Sequence, residues 1–570
     1  MIKRLDKCIL LLYFVVTMHI DDQTYQRNGK TYRRALLRNS YRRNGKVHHD
    51  TIANLSLCNE EEIEVMKFAL KNKKNLTALK IPGEKIQTRQ GMIVGAVWLL
   101  YQLAKRLGIV KALGHRKEAK LVLWMVISAV IGSVSRLSAT RLAQSHAACD
   151  ILGLDGFCED DLYDVLDWLD ENQNRIEDRL FKNRYKNKTP NLFLYDVTSS
   201  YFEGDKNELA EYGYDRDGKK GKKQIVIGLL TDDEGYPVSC DVFRGNTKDT
   251  QTFKSQVDKV ANRFGIKKVI FVGDRGMIKT AQINELTDED YYITALTKPQ
   301  IEKLLKKGVF QLQLFDKTVY EITDEDVRYV LRRNPIRAEE IRENRQSKLA
   351  AIEKLCEKKT VYLTEHPRAK VKVAKREIKK FIDKLKIAKW LKVRVKRRSF
   401  RIEINDIELE EIEKLDGCYT IKTNLSAADA SKETIHDRYK SLAEVEWAFR
   451  TMKTVLLHIR GIFVRKANRT RAHVFSIMLA YMIAFELRRL WRDIEITIEE
   501  GIGELSSLCA TEVVIGNLSI QTIPTPRENV QMLLEKADIA LPDAIPSRKA
   551  TVFTRKKLVE ERRFSIKSKY

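Results

Sequence analysis

Leu192-Phe-Leu-Tyr-Asp196-Val is a short apolar run closed by an acid, and the same device returns at Lys268-Val-Ile-Phe-Val-Gly-Asp274. Around them stand Gln224-Ile-Val-Ile-Gly-Leu-Leu, Pro237-Val-Ser-Cys-Asp-Val-Phe and Tyr291-Tyr-Ile-Thr-Ala-Leu, with helical spacing from Thr252 to Phe264 and near Ile278 to Leu286. Compact runs rich in β-branched and aromatic residues read as buried strands, and apolar residues three and four apart read as helices. Three strands, a helix, a strand, a helix and a strand predict an α/β sheet of mixed direction. Tyr236-Pro237 reads as a hairpin turn and Gly218-Lys-Lys-Gly-Lys-Lys as a loop.

Upstream, from Glu60 to about Lys182, apolar residues fall at helical spacing (Leu99, Leu100, Leu103, Leu107, then Leu121, Leu123, Val126, Ile127, Val130), broken at Gly108, Gly114 and Gly153. This predicts a helical unit over 60–190, a candidate DNA-binding domain. Ahead of it, over 1–59, β-type runs such as Thr31-Tyr-Arg-Arg-Ala-Leu-Leu are separated by Asn-Gly pairs at 28–29 and 44–45, the chemistry of hairpins, and predict a small basic β-unit. Lys3, Arg4 and Lys7 before the apolar run Cys8 to Thr17 imitate a secretory signal. That run is too short to span a bilayer and no small-residue cleavage site follows, so residues 1–17 read as a mis-called start, with Met18 available as initiator, or as a cryptic strand.

Downstream, about 298–415 carries charged helices and a few strands, and Arg368 to Arg401 holds 16 Lys and Arg against only Glu377 and Asp383. The sheet signature resumes at Gly417-Cys-Tyr-Thr-Ile-Lys-Thr, so 191–297 and 416–495 read as two parts of one sheet domain with the basic unit between them. A long amphipathic helix is expected from about Asp437 to Leu457. An apolar helix from Ala472 to Trp491 contains His473, Glu486 and several Arg, which makes it a core helix and not a membrane span. The region 496–570 is polar and basic after about Pro524.

Composition narrows the function. The chain has 570 residues, enough for about three or four folded units. With 43% hydrophobic and 32% charged residues it is neither disordered, collagen-like nor membrane-embedded. Against 78 Asp and Glu stand 104 Lys and Arg, a formal net charge of +26 that calls for a polyanionic partner. Nucleic acid is that partner by preference, because each cation near a phosphate releases a condensed counterion; an anionic membrane surface is the weaker alternative. The eight cysteines are scattered without C-x-x-C pairs, which reads as reduced thiols in a cytoplasmic protein.

Asp196 and Asp274 each end a strand and precede a polar turn, and ligand sites of open α/β sheets gather beyond strand ends. Two acids held together repel unless a divalent cation neutralises them, which points to Mg²⁺; singly, each is equally a turn former. On the later helix, Tyr439, Leu442, Glu446, Arg450 and Lys453 fall on one side at 100° per residue. A carboxylate flanked by cations and a phenol suits metal coordination beside a phosphodiester, and a solvated Glu446/Arg450 ion pair is the alternative reading.

Strand-Asp196, strand-Asp274 and helix-Glu446, with the second interval more than twice the first, resemble the DDE transposases of bacterial insertion sequences. The chain is most similar to the branch of the insertion-sequence-four superfamily whose signature reads Y-x2-R-x3-E-x6-K, supplied here by Tyr439, Glu446 and Lys453, with Leu442 where the signature has Arg and Arg450 one turn beyond Glu446. Leu194-Tyr-Asp196-Val-Thr-Ser-Ser-Tyr-Phe-Glu, the Gly218 loop and the strand after it, Phe243-Arg-Gly-Asn-Thr, Val272-Gly-Asp274-Arg-Gly-Met and Asp416-Gly-Cys-Tyr-Thr-Ile-Lys-Thr look like the same family, over roughly 85–495.

The resemblance implies a ribonuclease H-like core interrupted by an insertion domain. Asp196, Asp274 and Glu446 would hold two Mg²⁺ ions, with Mn²⁺ able to substitute, for DNA cleavage at the element ends and strand transfer to target DNA. Arg275, Tyr439, Arg450, Lys453, Lys222 and Lys223 are the expected DNA contacts, and a homodimer in the DNA complex and a cytoplasmic, nucleoid-associated location are implied. Lys219 and Lys220 share the Lys222 loop; Trp390 and Trp447 are core residues in preference to base wedges. The Gly-Lys loop lacks the Ser or Thr of a nucleotide-binding loop, so ATP is not implied. A DNA-binding protein that has lost the chemistry, and a structure-selective nuclease on the same core, are the rival functions.

Overall fold

The computed structural model describes residues 17–554 other than 28–29, 44–45, 72–86, 133–134, 188, 205, 267, 285, 287–289, 317, 460–461, 516–517 and 549. The apolar run from Cys8 lies outside them except for Thr17, as do both Asn-Gly pairs and the last residues of the basic tail. The strands flanking those pairs are in register: Thr17–Arg27, Lys30–Arg43 and Lys46–Asn54 form an antiparallel sheet in which Arg27 opposes Lys30 and Arg43 opposes Lys46. Ala35, Ile63 and Met66 pack this sheet on the helix Glu60–Lys71.

The helical stretch contains the helices Gly95–Arg106, Ile109–Leu113, Lys117–Ile131, Arg136–Ala143, Ala148–Leu152 and Glu159–Arg184. Its expected breaks are sites where the chain turns left-handed: Gly108 (φ +82°) opens one helix and Gly153 (φ +70°) closes another. A strand that the helical reading omitted, Gln87–Ile93, pairs with Cys509–Ile515, and Leu518–Thr522 and Ala544–Ile545 complete a four-stranded sheet. Thr551–Phe553 runs parallel to Gly156–Cys158. The C-terminal region thus folds back onto the helical unit, a pairing across more than 400 residues that no local pattern announces.

The central sheet has eight strands. Leu192–Tyr201, Gln224–Asp232 and Pro237–Arg244 are successively antiparallel, and Val269–Gly273 and Asp290–Ala295 continue parallel to the first on its other side. Cys418–Thr423 then pairs antiparallel with Asp290–Ala295. This order and these directions fit the expected ribonuclease H-like core. Two further strands, Tyr320–Asp324 and Val327–Arg333, extend the sheet beyond Cys418–Thr423, so a boundary at 298 falls before residues that belong to the sheet. Their charges hid them: Arg328 is buried in a strand because Glu321 and the carbonyls of Leu425, Ser426 and Ala430 take its guanidinium. The elements that follow, helices Pro335–Glu365 and Val371–Leu385, the hairpin Leu391–Lys396/Ser399–Ile404 and helix Asp406–Glu413, surround a separate core with Ile352, Ile378, Trp390 and Phe400.

The strand period of two sorts the sheet's faces. Leu192, Leu194, Ile270 and Val272 pack with the helices Glu159–Arg184, Leu442–Arg450 and Ala467–Leu490. Phe193, Tyr195, Val197 and Phe271 face the opposite core, with Phe253 and Ile278. Ala467–Leu490 is long and apolar enough to cross a membrane, but it lies in the protein core with His473 and Glu486 buried along it.

Candidate active site

Strand parity and register bring the two aspartates together. Tyr195 pairs with Gly273 on adjacent parallel strands, so Asp196 and Asp274 follow as the next residues of each chain. Asp274 lies just past its strand as expected, whereas Asp196, expected at a strand end, is in mid-strand, because the buried residues Val197 to Ser200 continue the pairing with Gln224–Asp232. Their even numbers put both on the Leu194/Val272 face, the one covered by the Glu446 helix. Adjacent strands lie about 4.8 Å apart. Asp196 is half-buried and Asp274 is exposed. The Asp196 carboxyl is pushed up to about 7, first by removal from water and then by the negative fields of Asp274 and Glu446, against lowering by the Val197 N–H and Arg216. Both of the other acids thus act on Asp196.

The helix bearing Glu446 differs from the expected one. It starts at Lys432, is interrupted at Ser441, resumes as Leu442–Arg450 and ends in a π turn, Thr451–Val455. Tyr439 and Glu446 still share a side. The Tyr439 hydroxyl is raised by burial, by the field of Asp274 and by a hydrogen bond to it, with Glu446 adding and Arg275 opposing. Leu442, in the signature's arginine position, packs against the apolar core. Arg275, Glu446 and Arg450 are exposed.

Lys453 lies elsewhere than on that exposed side. The π turn closes i to i+5, which slows the winding, and Lys453 lies against the Asp196 strand. Its Nζ donates to Thr198 Oγ1 (3.0 Å), the Ser199 carbonyl (2.6 Å) and Asp217 Oδ1 (2.6 Å). Direct phosphate contact was the expectation; a buried tie between helix and strand is what the geometry contains. Lys222 pairs with Glu203 at 2.7 Å, and Lys223 lies 5.9 Å from the Tyr212 ring centroid. Trp390 is buried, and Trp447 packs with Tyr481 under the Arg488 guanidinium.

Residues the sequence reading passed over complete the surroundings. Arg216 Nη2 donates to both carboxylate oxygens of Asp249 (2.6 and 2.7 Å), while its charge acts on Asp196. Its neighbour Asp217 accepts from Lys453 and from the Tyr201 N–H (3.2 Å). The run Tyr212-Gly-Tyr-Asp-Arg-Asp217, mixing aromatic and charged residues just before the Gly-Lys loop, was the available signal.

Among the described residues no three His, Cys, Asp or Glu side chains converge closely enough to form a metal-binding group. The chemistry of the donor set nevertheless fits magnesium, which takes hard oxygen ligands and is commonly held by one or two carboxylates together with water and substrate phosphates. The seven described cysteines are unpaired.

A family model described as the transposase DDE domain matches residues 187–483, and one described as the N-terminal domain of IS1634 family transposases matches residues 22–79. No curated protein matches. A solved structure of the piggyBac transposase synaptic complex with hairpin DNA is similar at 10% identity, covering 72% of this chain and 75% of that one, with a TM-score of 0.34.

Proposed function

The chain belongs to the DDE transposases of bacterial insertion sequences, and from that premise we propose that it binds the terminal repeats of its element, cuts the DNA there and joins the freed 3′ end to a target. The observation that carries this reading is that Asp274 and Glu446 both act on Asp196, with Asp196 inside one strand, Asp274 just past the end of the adjacent parallel strand and Glu446 on the helix covering them. Asp196, Asp274 and Glu446 are assigned as catalytic residues and as the holders of magnesium, or manganese in its place. Bound there, the metal supplies activation of the attacking oxygen and stabilisation of the leaving one.

The protein's own groups position the DNA. Arg275 and Arg450 are assigned to phosphates beside the acids, Tyr439 orients Asp274 through its hydroxyl, and Lys453 holds the helix to the Asp196 strand. Lys222 and Lys223 flank the entering strand. The elements from Pro335 to Glu413 form the inserted basic domain, whose Lys and Arg between 368 and 401 follow the duplex backbone. Function as a homodimer on DNA, in the cytoplasm at the nucleoid, and resemblance to the Y-x2-R-x3-E-x6-K branch belong to the same reading.

Incubating the protein with Mg²⁺ and a labelled element-end duplex tests it. Asp196→Ala, Asp274→Ala and Glu446→Ala are each expected to abolish cleavage while salt-sensitive DNA binding persists. Cleavage retained by a variant removes that residue from the site. Nicking without joining would identify a nuclease, and binding without nicking a regulator.

A further inference from the structure

The loop leaving the Asp196 strand presents two tyrosines to solvent: Tyr212 is 64% exposed and Tyr214 is 80% exposed. Exposed rings on an otherwise polar loop need a reason, and here the backbone beneath them is fixed. Glu211 and Gln224 exchange backbone hydrogen bonds of 3.1 and 2.9 Å, and the Gln224 side chain donates to the carbonyls of Tyr214 and Gly245, both at 3.0 Å. Gly213, between the rings, lies so close to the neighbouring chain that a Cβ there would meet the Gly245 oxygen at 1.9 Å. The rings therefore stand on a rigid ledge.

Each has a cation beside it. The Arg216 guanidinium is 5.6 Å from the Tyr214 centroid and the Lys223 ammonium 5.9 Å from that of Tyr212, and Lys219 and Lys220 follow on the exposed loop. Arg216 links the ledge to the acids, since it is anchored by Asp249 and acts on Asp196. Aromatic faces interleaved with cations bind single-stranded nucleic acid, the rings stacking on bases and the cations tracking phosphates. Bases within a duplex are already stacked on each other, so only an unpaired base has a face to offer such rings.

We infer that Tyr212 and Tyr214 form a stacking platform for unpaired bases of the DNA strand at the cutting site, with Arg216, Lys219, Lys220 and Lys223 holding its phosphates. This rests on the DNA-cutting reading above and adds to it a site for single-stranded DNA.

The test compares a labelled 20-nucleotide oligothymidylate with its duplex on oligodeoxyadenylate, without metal, for the full-length protein. The Tyr212→Ala/Tyr214→Ala variant is expected to lose about tenfold or more in affinity for the single strand, and less than twofold for the duplex. The Tyr212→Phe/Tyr214→Phe variant, which keeps both rings, is expected to match the wild type on both. Equal losses on the two DNAs, no loss on the single strand, or a loss in the Phe variant as large as in the Ala variant would overturn the platform. Cleavage of the element-end duplex by wild-type protein with Mg²⁺ decides the transposase reading separately, because none of these binding measurements involves cutting.

Discussion

Lys453→Met is expected to destabilise the protein by about 3 kcal/mol in the absence of DNA. The Lys453 and Asp217 side chains are 7% and 2% exposed, with Nζ 2.6 Å from the carboxylate. At an effective dielectric of about 20, that separation gives a gross attraction of about 6 kcal/mol, much of which offsets the cost of taking both ions out of water. Truncating the lysine leaves Asp217 with its desolvation cost and without this ammonium, and breaking a buried pair in this way costs about 3–5 kcal/mol. The Tyr201 N–H, 3.2 Å from Asp217 Oδ2, preserves part of its solvation and sets the expectation at the lower end. Urea unfolding followed by circular dichroism measures the loss. Removing both charges, in Lys453→Met/Asp217→Leu, is expected to recover most of it, so that the cycle shows a coupling of about 2 kcal/mol. A Lys453→Met protein that unfolds like the wild type but binds DNA more weakly would refute the reasoning, because the ammonium would then serve phosphate and not Asp217.

Stability of the metal-free protein is expected to fall as pH rises from about 4 to about 7, because Asp196 keeps its proton up to about 7 when folded and loses it near 3.8 when unfolded; Asp196→Asn should flatten that fall in thermal melts, and an unchanged slope would mean that the carboxyl is not raised. Arg216→Gln removes a charge that lowers Asp196, so the acid limb of the cleavage–pH profile is expected to move to higher pH; a limb that stays in place would exclude Arg216 from the site's electrostatics. Neutralising several lysines between Lys370 and Lys396 is expected to weaken duplex binding and to reduce the salt slope by about one for each phosphate that no longer meets a cation. An unaltered slope would show that this surface faces only solvent.

Much of the central sheet was legible because buried strands announce themselves: Leu192 to Val197, Gln224 to Leu230 and Lys268 to Asp274 are apolar runs whose composition survives without context. Asp274 was legible for a related reason, since its charge closes an apolar run just past a strand end, whereas Asp196 stood out as the acid that interrupts such a run, although its strand continues to Tyr201. The strands Tyr320–Asp324 and Val327–Arg333 were not legible, because Glu321 on the edge strand and the carbonyls of Leu425, Ser426 and Ala430 satisfy Arg328 within the sheet. The Gln87–Ile93 pairing with Cys509–Ile515 was illegible because register between segments so distant is set by the fold that brings them together.

Taken alone, the order of residues determined which side chains alternate on each strand, where the carboxylates end their runs, and that a large positive charge must meet an anion. Those properties follow from period and composition, which need no partner segment. Only the tertiary structure decided that Asp196 and Asp274 continue adjacent parallel strands, that a π turn carries Lys453 inward to Asp217, and that Arg216 reaches Asp249. Each of these depends on which surfaces pack together, and a buried ion pair between residues more than 200 positions apart leaves no periodic trace in either segment.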